Sequence, residues 1–217
     1  MIPKILDHLG EADRRELVRA GRTRRFAKGE VIFHEGDHRN TRQVVLKGHV
    51  AVRITTPLGD VATFAVFGPG DHFGELALIS AAERSATASA LDPVETLAIT
   101  IAQLDELRHR FPAVDRLMVE ALAATVRRVS VLLSEALFVP VDKRVYRRLL
   151  DLRAVFGTEA SPSARVPVKQ EMLAELAGTT RPTANRALRI AEDVGALTIG
   201  RGWIEVLDAE WLERRSR

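Results

Sequence analysis

The chain has 217 residues, 46% of them hydrophobic, no cysteine and a formal charge of +3. Its length is enough to bury substantial cores and favours two domains over one. The missing thiols exclude disulfides, thiolate zinc sites, cysteine-ligated iron–sulfur clusters and a cysteine nucleophile, and they fit a reducing compartment. The charge is unevenly held. Residues 1–137 carry 18 Lys and Arg against 18 Asp and Glu, so residues 138–217 carry the whole excess, 14 against 11. With so small an excess, affinity for phosphate depends on where the arginines lie. No apolar run approaches the ~20 residues of a membrane span, and acidic residues interrupt the first segment, where a secretory signal needs an unbroken apolar core. A cytoplasmic protein with no membrane partner is expected.

Residues 3–21 read as a helix with Ile5, Leu6, Leu9, Leu17, Val18 and Ala20 on its apolar side, a lid on the β-rich region after it. From Phe26 to Ile101 the pattern becomes short β-rich runs: Val31–Phe33, Gln43–Leu46, Val50–Ile54, Val61–Phe67, Ala86–Leu91 and Glu95–Ile101. Gly-containing turns at 35–37, 47–48, 57–60 and 68–71 separate several of them, and such spacing predicts a rolled β-sandwich or barrel.

Within this region residues 73–79 (FGELALI) and 82–87 (AERSAT) hold the most chemistry. Gly74 permits close backbone approach, and the apolar segment after it can form a helical turn whose first N–H groups point at an anion. Arg84 can return over the same spot to pair with a phosphate oxygen, while Glu75 can accept from a sugar hydroxyl. Taken alone, these residues fit a turn with a solvated ion pair nearly as well.

Residues 112–137 contain no Gly and no internal Pro, and predict one long helix. Met118, Leu122, Val126, Val129, Leu133 and Ala136 recur at spacings of three and four, a coiled-coil seam; Leu117, Ala121, Ala124, Leu132 and Leu137 widen it. A stripe wider than one seam should serve two neighbours, the β-roll and the same helix of a second subunit; a helix buried within one monomer is the alternative. Phe138-Val-Pro140 stops the helix, and Asp142 is the expected cap of the next one, 143–156. Residues 157–165 read as a solvated loop.

Residues 169–193 carry the strongest local signal. Leu173, Ala174, Leu176 and Ala177 give a short amphipathic helix ended by Gly178; Thr180 caps a second, whose apolar side is Ala184, Ala187, Leu188 and Ala191. Turning that side inward points Arg181, Pro182, Asn185, Arg186 and Arg189 outward. Arginine forks match guanine, asparagine suits adenine, and Lys169, Thr180, Thr183 and Arg201 suit phosphate near the helix start and in the later turn. Residues 196–199 and 203–207 flank Gly200-Arg201-Gly202, the signature of a β-hairpin wing. Together these are a candidate DNA reader.

The whole series, a β-roll with FGELAL and RSAT, a seam helix, a break and a winged helix-turn-helix, resembles the Crp/Fnr family of bacterial transcription regulators, that of the cyclic AMP receptor protein. The resemblance implies an α+β architecture: a cyclic-nucleotide-binding-like roll (1–111), a dimerisation helix (112–137), a hinge (138–142) and a DNA-binding domain (143–217). It implies a cyclic nucleotide effector, cyclic AMP first, held by Phe73, Gly74, Glu75, Leu76, Arg84 and Ser85, with Val129 and Ser130 at the places where the receptor sets a Thr-Ser pair over the purine. Valine cannot hydrogen-bond an adenine amino group, so a regulator that has lost the nucleotide is the alternative. It further implies a homodimer on near-palindromic duplex DNA. Pro182 stands where the family has a glutamate and cannot accept from cytosine, so the operator differs at that base step.

No nucleophile-elbow, Walker or metal-hydrolase spacing occurs, so no enzyme is expected. His34 and His38 flank a Gly-Asp turn and read as solvated turn residues, so no metal is expected.

Overall fold

The structure is a computed structural model, and it describes residues 19, 21–38, 41–74, 83–111, 113–157 and 165–217. The expected lid helix and most of the 157–165 loop lie outside the described residues, as do Glu75 and Leu76. By its internal contacts the chain divides into two compact units, residues 1–54 with 65–129, and residues 55–64 with 130–217.

Among the described residues eight strands precede the first full helix: β1 (Arg22–Phe26), β2 (Val31–Phe33), β3 (Thr41–Lys47), β4 (Val50–Thr55), β5 (Val61–Phe67), β6 (His72–Phe73), β7 (Thr87–Ala90) and β8 (Val94–Thr100). They form two four-stranded sheets, ordered β1-β8-β3-β6 and β2-β7-β4-β5. Alternation along β3 sends its side chains to two places. Val44 joins Leu97, Ile99, Leu104, Leu107 and Val114 in a core on the helical side, while Val45 joins Phe26, Val50, Phe73, Ala88 and Val94 inside the roll.

Two elements here escaped the hydrophobic pattern. The strand β1 reads RTRRF, with its first four residues exposed. It holds its place at the sheet edge through backbone pairing, from Arg22 opposite Ala98 to Phe26 opposite Val94. Charge on an edge strand also discourages pairing with another chain. Helix α1 (Ile101–Arg110) begins at a capping box in which the Thr100 hydroxyl accepts from Gln103 N–H and the Gln103 side chain accepts from Thr100 N–H. It buries only Leu104 and Leu107, too thin a stripe to announce itself.

Helix α2 spans Ala113–Phe138, and α3 spans Val141–Phe156. The expected cap Asp142 lies inside the first turn of α3 instead, because Pro140 takes the cap position with no side-chain hydrogen bond. Pro140 is extended, φ −53° and ψ 146°, and its carbonyl accepts from Arg144 N–H, so the helix begins directly after it. The α2 residues from Ser130 onward group with the C-terminal unit. There Glu135 is buried between two arginines of α3, Arg147 at 2.9 Å and Arg148 at 2.5 Å.

In that unit α3 buries Val145, Tyr146, Leu149 and Leu152, the core against which everything else is placed. The elements after it are β9 (Arg165–Val166), α4 (Gln170–Ala177), α5 (Arg181–Asp193), β10 (Leu197–Gly200), β11 (Trp203–Val206) and α6 (Ala209–Ser216). The three strands form one sheet ordered β10-β11-β9. Gly178 adopts φ +60°, so it ends α4 as its sequence position promised. Gly200 is required for a different reason: a Cβ there would lie 2.0 Å from the Trp203 ring across the hairpin. The Tyr146 hydroxyl donates to the Ala187 carbonyl at 2.9 Å, and its ring meets Trp211 edge-on. That one buried residue ties α5 to the core.

Tyr146→Phe removes this donor while the Ala187 carbonyl stays within its helix. The expected loss is about 0.5–1.5 kcal/mol, read as a lower midpoint in chemical denaturation monitored by circular dichroism.

Candidate effector pocket and nucleic-acid interface

Strand β6 ends at Phe73, and Gly74 turns the backbone with φ +82°. Arg84 crosses directly over that turn. Its guanidinium donates to the Gly74 carbonyl at 3.2 Å and to the Thr41 carbonyl at 2.5 Å, and lies 4.0 Å from the centre of the Phe33 ring. A Cβ on residue 74 would come within 2.5 Å of Arg84 Nη1, so both the positive φ and the close approach require glycine. The backbone of Arg84 is fixed as well, its N–H donating to Asp37 and its carbonyl accepting from Gly36. The result is a buried cation, 5% exposed, seated over the Gly74 turn.

Around it the roll interior is part aromatic and part polar. Phe33 and Phe67 each lie 5.8 Å from Phe73, ring centre to ring centre. Gln43, 1% exposed, accepts from Thr96 at 2.8 Å and donates to the Thr41 hydroxyl at 3.0 Å. Phe33, Thr41 and Gln43 were not picked out in the sequence. The signal available was Gln43 itself, a polar residue at a core-facing position of an apolar strand. Of the expected ligand residues, Phe73, Gly74 and Arg84 come together here, and Ser85 is exposed beside them. Val129 is half exposed on α2, and Ser130 is exposed at the adjoining position.

On the other face of the same strands His72 lies opposite Val44. Burial, then the charges of Arg42 and Arg128, push it from the usual 6.5 down to about 3. Fold and ring charge therefore oppose each other.

In the C-terminal unit Thr180 caps α5, its hydroxyl accepting from Thr183 N–H, and Pro182 stands in the first turn. Ala184, Ala187, Leu188 and Ala191 are buried, so the expected outward row does face solvent or the domain edge. The structure sorts that row. Asn185 donates to the Gln170 side chain at 2.7 Å, and Arg189 is ion-paired with Glu192, which also accepts from Ile199 N–H at 2.9 Å. The Ile199 hydrogen bond, and secondarily Arg189, hold the Glu192 carboxyl below its usual range. Arg181 and Arg186 are exposed and make no hydrogen bond or ion pair with the described residues. A cleft of about 530 Å³ opens between the helix starts and the wing tip, lined by Lys169, Gln170, Glu171, Arg181, Gly200, Arg201 and Gly202. Three cations on one cleft at two helix N-termini suit a phosphate chain.

Along α2 the seam divides. Met118 packs onto the core of Val44, Leu97 and Leu104, and Leu122 is half-buried, while Val126, Val129, Leu133 and Ala136 are exposed.

A β-roll and a winged helix-turn-helix on one chain define the architecture of a DNA-binding regulator. Residues 23–111 match the cyclic nucleotide-binding domain, and residues 143–215 match the Crp-like helix-turn-helix domain. A cyclic AMP receptor protein of Thermus thermophilus is 33% identical over 191 residues, covering 88% of this chain and 86% of that one. A CRP-like cAMP-activated global transcriptional regulator of Mycobacterium tuberculosis is 28% identical over 194 residues, covering 88% and 87%. The solved Thermus thermophilus catabolite activator protein aligns over 98% of both chains, at 30% identity and a TM-score of 0.58. The chain belongs to the Crp/Fnr family of transcription regulators. Among the described residues no helix is long and apolar enough to cross a membrane.

His72 gives the N-terminal unit a pH signature. The unfolded chain binds the ring proton below about pH 6.5, and the folded chain only near 3. Its contribution to stability is therefore complete above 6.5 and is lost as pH falls toward 3, at up to about 1.4 kcal/mol per pH unit. Urea titrations across that range should show the slope, and His72→Leu should flatten it.

Proposed function

We propose that the protein is a homodimeric, sequence-specific regulator of transcription whose effector is a cyclic nucleotide bound in each β-roll. Cyclic AMP is the first candidate, as the names of the Thermus and Mycobacterium relatives suggest. The observation that carries this reading is Arg84, a buried guanidinium set over the Gly74 backbone. A cyclic phosphate placed there meets a positive charge in a low-dielectric site together with close backbone approach. Ser85, beside Arg84, adds a hydroxyl, and Glu75 takes the ribose hydroxyl.

The exposed apolar stripe of α2 supports pairing with a second copy, through Val126, Val129, Leu133 and Ala136 above all. Two recognition helices in such a dimer enter successive major grooves about 34 Å apart, on a near-palindromic site. Residues 138–142 serve as the hinge between effector and reader. Effector and DNA then raise each other's affinity by one common factor, typically ~1–3 kcal/mol of coupling. RNA polymerase is the partner expected to read the assembled complex.

A second reading is favoured by Val129. It brings no hydrogen-bonding group to α2, and a regulator that works without a cyclic nucleotide would need none.

Calorimetric titration of cyclic AMP and cyclic GMP into nucleotide-free protein separates the two. Micromolar binding that Arg84→Ala abolishes, with the dimer intact by sedimentation, is expected. Unchanged affinity in that variant rejects the pocket, and absence of heat with both nucleotides selects the second reading.

On the DNA side, Arg186→Ala is expected to cost about 1–3 kcal/mol and to relax preference at one base position. Competition binding on a set of single-base operator variants measures it; an equal loss on every sequence would make Arg186 a phosphate contact.

A further inference from the structure

We propose that Pro182 is a base-reading residue, selecting one thymine in each half-site through its C5 methyl group. The inference rests on the DNA-binding reading above and names the specificity of that same site.

Five side chains form the outward row of α5, and the protein itself occupies two of them. Asn185 is bound to Gln170 on α4, and Arg189 to Glu192, whose carboxylate is also fixed to the backbone of β10. Three remain in the N-terminal half of the helix, Arg181 and Pro182 at its start and Arg186 one turn on, all exposed. In a helix-turn-helix the N-terminal residues of the second helix are the ones that meet base edges in the major groove. The reading head of this protein is therefore two cationic forks and one apolar ring.

The Arg186 fork has an evident complement, because only guanine presents two adjacent acceptors in the major groove, while Arg181 also lines the cleft that suits phosphate. Pro182 has no side-chain donor or acceptor, and no N–H. Set against a cytosine or adenine amino group, or against a guanine or thymine carbonyl, it would strip water from a polar atom and return nothing. The thymine methyl is the one apolar group the groove offers. Pro182 lies four residues before Arg186, so the two stand one above the other on the same face of α5. The thymine is accordingly a neighbour of the guanine read by Arg186.

Pro182 suits a first helical turn, but the start of α5 does not depend on it. Thr180 already caps α5, and serine or glutamate is equally acceptable in a first turn. Both substitutions Pro182→Ser and Pro182→Glu should leave the domain folded, verified by thermal melting.

The test begins by selecting bound duplexes from a random library with the full-length chain, with cyclic AMP, with cyclic GMP and with neither. Each thymine of the selected operator is then replaced by deoxyuridine, which deletes the methyl and nothing else, and affinity is followed by fluorescence anisotropy. At one position per half-site the replacement should weaken binding roughly fourfold, the worth of one buried methyl group. Pro182→Ser should erase that difference, and Pro182→Glu should move the preference at the same position to cytosine, whose amino group a carboxylate can accept. Equal affinity for thymine and deoxyuridine at every position overturns the proposal, as does an undiminished methyl effect in Pro182→Ser. Failure to select any sequence, under all three conditions, would overturn the DNA-reading assignment itself and this inference with it.

Discussion

A guanidinium buried in a β-roll is tolerable only where its charge is answered, and leaving one unanswered costs as much as a large packing defect. Arg84 meets this constraint through the carbonyls of Gly74 and Thr41 and the face of Phe33. Each of these fixes something else. Gly74 must be glycine, Thr41 must present its backbone at the start of β3, and Phe33 must lie where β2 brings it, next to Phe73. The polar chain Thr41, Gln43, Thr96 continues from the same point into the β8 side of the roll. An electropositive spot with a glycine turn beside it is thus a product of the whole roll rather than of one loop.

The C-terminal unit obeys a different logic, that of reach. Its core is built on α3, with Tyr146 bonded to the middle of α5, so the reading helix is held by its buried side and its exposed side is left for a partner. On that exposed side the domain spends some polar groups on itself. Gln170 holds Asn185 and so couples the start of α4 to α5, and Glu192 holds both Arg189 and the backbone of the wing. These bonds tie α4, α5 and the wing to one another. Stiffness at the surface reduces what must be ordered on binding, which favours recognition by few but well-placed side chains.

Helix α2 runs from one unit into the other, and its seam residues have different fates along its length. Near its start Met118 is part of the roll's helical-side core; near its end Glu135 is locked between Arg147 and Arg148 of α3. A buried carboxylate with two guanidinium partners resists rearrangement, since moving either partner exposes an unpaired charge to low dielectric. One continuous helix therefore has its first half committed to one unit and its last turns to the other.

Much of this was legible in the residues. The period-two runs of the roll, the long seam helix, the Gly178 stop, the Thr180 cap and the wing hairpin all arise from local chemistry, because each is a choice made by a few neighbouring residues. So does the family resemblance carried by residues 73–87. The polar strand β1 and the thinly apolar α1 were not legible, since backbone pairing with β8 and a capping box hold them rather than a buried face of their own. Asp142 was misplaced because Pro140 alone suffices to begin α3. What the amino-acid order determined by itself is which segments bury which sides, and hence two units with a reading helix in the second. Only the tertiary structure decided that Arg84 lies over Gly74 with Thr41 as its support, and that Asn185 and Arg189 are engaged while Arg181, Pro182 and Arg186 stand open. Those are contacts between residues far apart in sequence or on different helices, and a periodic pattern specifies a face without specifying what that face will touch.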